Sequence, residues 1–143
     1  MHRWATIAVK LAADSTCFPD QLEGSCQIHQ VDKLYYNVLP QQSVEKMPEH
    51  DMPAAVMMDG VPFPFVGYTD QEITTIVDVT EYVEQKLAGI RCHRTQVGED
   101  SPYLKEPEEA KRDPWFRQET FILARSSVGQ PKKTEADLFA GLR

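Results

Sequence analysis

Hydrophobic and polar positions follow two different rhythms along this chain, and one stretch passes from the first to the second without a break. From Ile73 to Gln96 the sequence reads ITTIVDVTEYVEQKLAGIRCHRTQ. Ile73 to Val79 is rich in Ile, Val and Thr, whose branched Cβ atoms suit a pleated, half-buried surface, so a strand is predicted there. Asp78 ends it and is placed to cap a helix, with Glu81 three residues on completing a capping-box pattern. Val79, Tyr82, Val83, Lys86, Leu87, Ile90, His93 and Arg94 then recur at three- and four-residue steps, which predicts a helix with these positions along one face. His93 falls at the edge of that stripe, with Gln96 one turn further on.

The same reading applied elsewhere predicts an opening helix over Met1 to Ala13, from the spacing of Trp4, Ile7, Ala8, Leu11 and Ala12. A polar loop from Thr16 to Asp32 leads into a strand at Lys33 to Pro40. Its near-continuous apolarity suits a strand covered on both faces, as in a parallel sheet between helix layers. Gln41 to Met52 has helical spacing around Val44 and Met47 but is limited by Pro48 and Pro53, and reads as irregular. Pro53 to Asp70 is apolar but broken by proline and glycine, which predicts short strands or a covering loop, with Asp59-Gly60 forming a tight hairpin turn. Val97 to Pro114 reads as a charged loop with one helical turn, Trp115 to Arg125 as a strand, and Thr134 to Arg143 as a short terminal helix or hook.

The 143 residues suit a single domain over residues 1–143 with room for a real core. A net charge of −7 opposes nucleic-acid phosphates, and the only basic clusters, Arg91 with Arg94 and Lys132 with Lys133, are small, so no nucleic-acid partner is expected. No run approaches the ~18 apolar residues of a membrane span. The three cysteines, Cys17, Cys26 and Cys92, show neither CxxC nor zinc-knuckle spacing, which fits reduced thiols and a cytoplasmic location.

Chemistry is sparse. The four histidines, His2, His29, His50 and His93, form no HExxH or HxH pair, so the chain shows no complete metal site. Glu49-His50-Asp51 places a carboxylate beside a histidine, but adjacent side chains diverge, and a surface loop is the simpler reading. A Gly-rich phosphate loop and a nucleophile elbow are both lacking. His93 and Gln96 remain the candidate pair: three residues apart on a helix, imidazole and carboxamide can point together into one cleft at an element's end.

At these residues the sequence resembles the C-terminal half of the LmbE-like or PIG-L family, zinc-dependent de-N-acetylases of N-acetylglucosaminyl conjugates. Thr74 to Thr80 with Tyr82, Lys86 and His93-Arg94-Thr95-Gln96 is similar to the family's strand-helix unit ending in His-x-Ser/Thr-Gln. Phe116 to Ala124 is similar to its next strand, Glu135 to Leu142 to its C-terminal signature, and Lys33 to Pro40 to the strand after its second metal motif. The resemblance implies an α/β fold, the C-terminal half of a Rossmann-like three-layer architecture with a mainly parallel sheet. It also implies hydrolysis of an N-acetyl group, zinc in the full-length family, and an N-acetylated amino-sugar conjugate as substrate.

The family's His-Pro-Asp-Asp and His-Pro-Asp-His-like motifs, which supply its zinc ligands and general base, do not occur here. The opening helix resembles the one that follows the second motif, so Met1 is expected to be internal to a longer reading frame. On this reading the chain alone holds no catalytic zinc and is inactive, and His93 and Gln96 are substrate-side or outer-shell residues. Its partner is a missing N-terminal half or another copy of the chain. The competing expectation is a non-catalytic interaction or binding module that keeps the half-fold, and a third is a small enzyme that uses His93 in another way.

Overall fold

The computed structural model describes residues 2–47, 55–95, 97, 101 and 103–143. Its elements are α1 (His2–Leu11), β1 (Lys33–Asn37), β2 (Leu39–Pro40), α2 (Gln41–Glu45), β3 (Ala55–Met58), β4 (Val61–Pro64), β5 (Gly67–Tyr68), β6 (Thr75–Asp78), α3 (Val83–Arg91), α4 (Pro107–Ala110), α5 (Pro114–Arg117) and β7 (Gln118–Ser126). The chain is thus a mixed α/β structure.

The main sheet has the order β1-β7-β6, and both pairings are antiparallel. A mainly parallel sheet is therefore not confirmed among the described residues. Among the described residues, parallel pairing is confined to the two-residue β2–β5 ladder and a bridge between Thr75 and Glu135. The reason is topological: β7 follows α5 in a direct turn and enters the centre of the sheet against the direction of both neighbours. The strand expected over Lys33 to Pro40 is interrupted at Val38, whose N–H donates to the Thr120 carbonyl and whose carbonyl accepts from the Thr120 hydroxyl. β1 is half-buried and not sheathed on both faces.

Asp59-Gly60 forms the predicted hairpin turn between β3 and β4, with φ of 51° and 79°. Positive φ at both central residues matches the right-handed twist of the flanking strands. Met58 and Val61 flank this two-residue turn, so Pro62 and Pro64 fall on alternate positions whose nitrogens face away from β3. The prolines therefore cost no ladder hydrogen bonds and leave the outer edge of β4 without donors at those sites. At β5, a Cβ added to Gly67 would lie 2.6 Å from the Gln41 Cα, so glycine lets this strand pass under α2.

Asp78 ends β6 as expected but is not a helix cap: its carboxylate accepts from the Thr80 N–H and hydroxyl, while Val79 holds the N-cap position of a single 3₁₀ turn, Thr80–Tyr82. α3 proper starts only at Val83 and stops at Arg91, which shortens the predicted stripe at both ends. Val83 and Leu87 are fully buried, whereas Tyr82 is 61% exposed and His93 and Arg94 face solvent. The core is compact: Val83, Leu87, Ala110 and Phe116, with Ile90 and Trp115 packed against it. The predicted strand over Trp115 to Arg125 begins late for a local reason. Asp113 accepts from the Trp115 N–H and Pro114 occupies the first helical position, so α5 forms before β7 can start.

The C-terminal segment is a hook rather than a helix. The Glu135 N–H donates to the Thr74 carbonyl and its own carbonyl accepts from Ile76, which lays the tail along the free edge of β6. α1 is less engaged: Trp4 is 76% and Ile7 47% exposed, and a 3.5 Å Thr6–Tyr36 hydroxyl contact ties the helix to β1.

Candidate functional site

β1 and β6 both run against β7, so their carboxyl ends lie at one edge of the sheet, opposite the start of β7. That edge is where α/β folds place ligands, because element ends converge there and leave a crevice. A cleft of about 450 Å³ opens beside it between α2 and α5. Pro40, Gln42 and Ser43 of β2 and α2 line it together with Tyr103, Trp115 and Gln118 and with the apolar Ile73, Ile76 and Phe116.

Trp115 is held from several sides. Tyr103 packs on it with ring centroids 5.0 Å apart, and Phe116 meets it edge-on at 4.7 Å. Lys86 on α3 donates to the Trp115 carbonyl at 3.0 Å, sits 5.1 Å from the indole centroid and pairs with Glu119 at 2.7 Å. Lys86 thus lies on the expected helix face but serves as a clamp for the neighbouring turn, its aliphatic stem packed and its head bonded.

Charge at the cleft is paired. Lys105 donates to Asp113 at 2.9 Å. That hydrogen bond is the main cause raising the Lys105 ammonium above its usual value, against partial burial that pulls it down. For Asp113, burial pushes the carboxyl up, but the hydrogen bonds from Lys105 and the Trp115 N–H, with the charges of Lys105 and Lys46, outweigh it and hold it below the ordinary aspartate value.

A second polar cluster lies at the opposite end of β1. Lys33 donates to Glu135 at 2.7 Å and to the Ala140 carbonyl at 2.8 Å, while Tyr35 donates to the other Glu135 oxygen at 2.8 Å and Thr75 at 3.2 Å. The Lys33 and Glu135 side chains are only 4% and 11% exposed. Burial raises Glu135, but the hydrogen bonds from Lys33 and Tyr35, the Lys33 charge and the Thr75 hydroxyl prevail, leaving it below its usual value. Burial likewise lowers Lys33, and its bonds to Glu135 and Tyr35 overcome this and raise it. With both Glu135 oxygens engaged, this cluster fastens the hook.

His93 is exposed, beyond the end of α3, and does not line the cleft. It lies seven residues past Lys86, roughly 10 Å further along the helix direction. Gln96 is outside the described residues, as is Glu49-His50-Asp51, so the structure describes no His93–Gln96 pair. Among the described residues no three of His, Cys, Asp or Glu converge as a group able to hold a metal. The described side chains alone therefore do not fit a catalytic zinc. Sequence reading missed the Tyr103–Trp115 wall and the Lys105–Asp113 pair. The signal was Asp113-Pro114, an N-cap followed by proline at the first helical position, which marks Trp115 as the start of a helix rather than of a strand.

No family model matches the chain. Comparison with curated proteins is informative. A protein of Streptomyces griseus subsp. griseus named 1D-myo-inositol 2-acetamido-2-deoxy-alpha-D-glucopyranoside deacetylase is 33% identical over 99% of this chain and 43% of its own length. The chain is homologous to deacetylases of the LmbE/PIG-L kind. Identically named proteins of Streptomyces avermitilis, at 33% identity, and of Nocardioides sp., at 29%, also align with 99% of it, over 47% and 48% of their own lengths. It spans under half the length of these relatives. Among the described residues no helix is long and apolar enough to cross a membrane.

Proposed function

We propose that this chain is the substrate-holding part of a LmbE/PIG-L deacetylase that hydrolyses the N-acetyl group of an N-acetylglucosaminyl conjugate, releasing acetate and a free amino sugar. One observation carries the reading: relatives named for that deacetylation align with nearly the whole chain. In a protein of the relatives' full length, the region beyond the match would supply the metal-binding residues, and a zinc held there would supply the means to activate water near neutral pH. This chain's own residues position. Trp115 and Tyr103 wall the cleft, Lys86 and Asp113 hold Trp115 in place, and His93 with Gln96 contacts the substrate or the outer shell of the metal.

The Rossmann-like, mainly parallel sheet belongs to that complete protein. β1 is an edge of the described sheet, and its unpaired side is where further strands add. The decisive experiment reconstitutes the chain with the region of a relative that lies outside the match, adds zinc and follows amine release from an N-acetylglucosaminyl-inositol. Zinc-dependent release that neither part gives alone is the expected result. No release from a stable, metal-loaded complex would sink the deacetylase reading and assign the half-fold to a non-catalytic binding module.

A further inference from the structure

From the cleft beside the carboxyl end of β1 we infer a binding site for a neutral polyhydroxylated ring, the part of the substrate remote from the reacting amide. The inference deepens the proposed deacetylase by naming which end of the conjugate this chain holds.

Three observations lead there. First, the cleft has a free set of neutral hydrogen-bonding groups: the side chains of Gln42, Ser43 and Gln118 line it, and none makes a hydrogen bond to any described residue. Each amide offers two donors and an acceptor, and a serine hydroxyl offers both, which suits hydroxyl groups that also donate and accept. Second, its ionic groups balance. Lys46 and Lys105 are matched in number by Asp70 and Asp113, and the Lys105–Asp113 pair is already closed, so the lining carries no net formal charge to select an anion or a cation. Third, one wall is aromatic and fixed. Tyr103 is 37% exposed on top of a Trp115 immobilised by Lys86 and by the Asp113 cap, which gives a C–H-rich ring face an apolar surface to rest on without a loss of side-chain freedom at binding. At about 450 Å³ the cleft is within the range of small-molecule sites and open enough for one ring with its water.

The test uses the two tryptophans, Trp4 and Trp115. Trp4→Phe leaves Trp115 as the only indole, and its emission is followed while myo-inositol is added to the full chain. A saturable change is expected. Gln42→Ala, an exposed position on α2, should weaken binding about fivefold, the worth of one neutral hydrogen bond, and Tyr103→Ala about tenfold through lost ring contact, both with unchanged far-UV circular dichroism. No saturable change overturns the inference, as does saturation by acetate but not by myo-inositol, or binding that survives both substitutions. The two readings fail separately. Ring binding without amine release in the reconstituted protein sinks only the deacetylase, and amine release whose KM ignores Gln42→Ala sinks only this cleft.

Discussion

Leu87 on α3 and Ile7 on α1 are aliphatic residues in the middle of short helices, yet Leu87 is 0% exposed and Ile7 47%. The difference is in what surrounds them. α3 meets α4, α5 and Phe116, and Lys86 and Lys111 tie it to Trp115 and to α4 through polar bonds. α1 has helical periodicity just as clear but presents Trp4 and Ile7 to solvent, and the β3–β4 hairpin does the same with Met57, Val61 and Phe63, all more than half exposed. The region around α3 and α5 is thus a finished core, while α1 and the β3–β4 hairpin form the open side, with apolar side chains left uncovered.

Substitutions can break or sharpen that contrast. The largest effect is expected in the core: Phe116→Ala should cost about 3–5 kcal/mol, read as a lower denaturation midpoint in urea. If it costs no more than Trp4→Ala, the finished side is not the stabilising one. Next comes the fastening of the hook. Glu135→Ala strands the Lys33 ammonium in a nearly closed site and should cost about 3 kcal/mol. Titration gives the same contrast a pH signature. Glu135 lies below its ordinary 4.5 in the folded chain, so the stability it contributes is full above pH 4.5 and is lost as pH falls through the folded value. Lys33 lies above 10.5, so its contribution is full below that pH and declines as pH rises through the folded value. A Glu135→Gln chain whose acid melting curve matches the parent would refute the assignment.

Asp113→Ala removes the cap of α5 and should cost about 1 kcal/mol while shifting Trp115 emission in a Trp4→Phe background. An unchanged spectrum would mean that the cap does not hold the indole. The smallest effects belong to the open side. Trp4→Gln and Phe63→Gln should each change the stability of the isolated chain by less than about 0.5 kcal/mol. The same pair should abolish co-elution with the complementary region of a relative, and retained co-elution would show that this surface is not the one covered.

The local sequence signals were strong where the chain decides its own conformation. Asp59-Gly60 needed only two residues that tolerate positive φ, and the single turn at α4 needed only Pro107 among polar neighbours. Even the stripe of α3 was right at its centre, at Val83 and Leu87, and wrong at its ends, because exposure at Tyr82 and His93 depends on where α4 and α5 stop covering the helix. The site was less legible. His93 and Gln96 were singled out by spacing, whereas the cleft that took shape draws Gln42, Tyr103, Trp115 and Gln118 from three distant segments.

By itself the sequence determined the alternation of helix and strand, the hairpin turn, the kinship with deacetylases and the absence from this chain of that family's metal motifs, since each of these rests on residues a few positions apart. The tertiary structure alone decided that the sheet is antiparallel around β7, that Glu135 closes on Lys33 across 102 positions, and that Lys86 holds Trp115 at the cleft. Strand direction and ion pairing are settled by which surfaces meet when the chain closes on itself, and local periodicity contains no term for that.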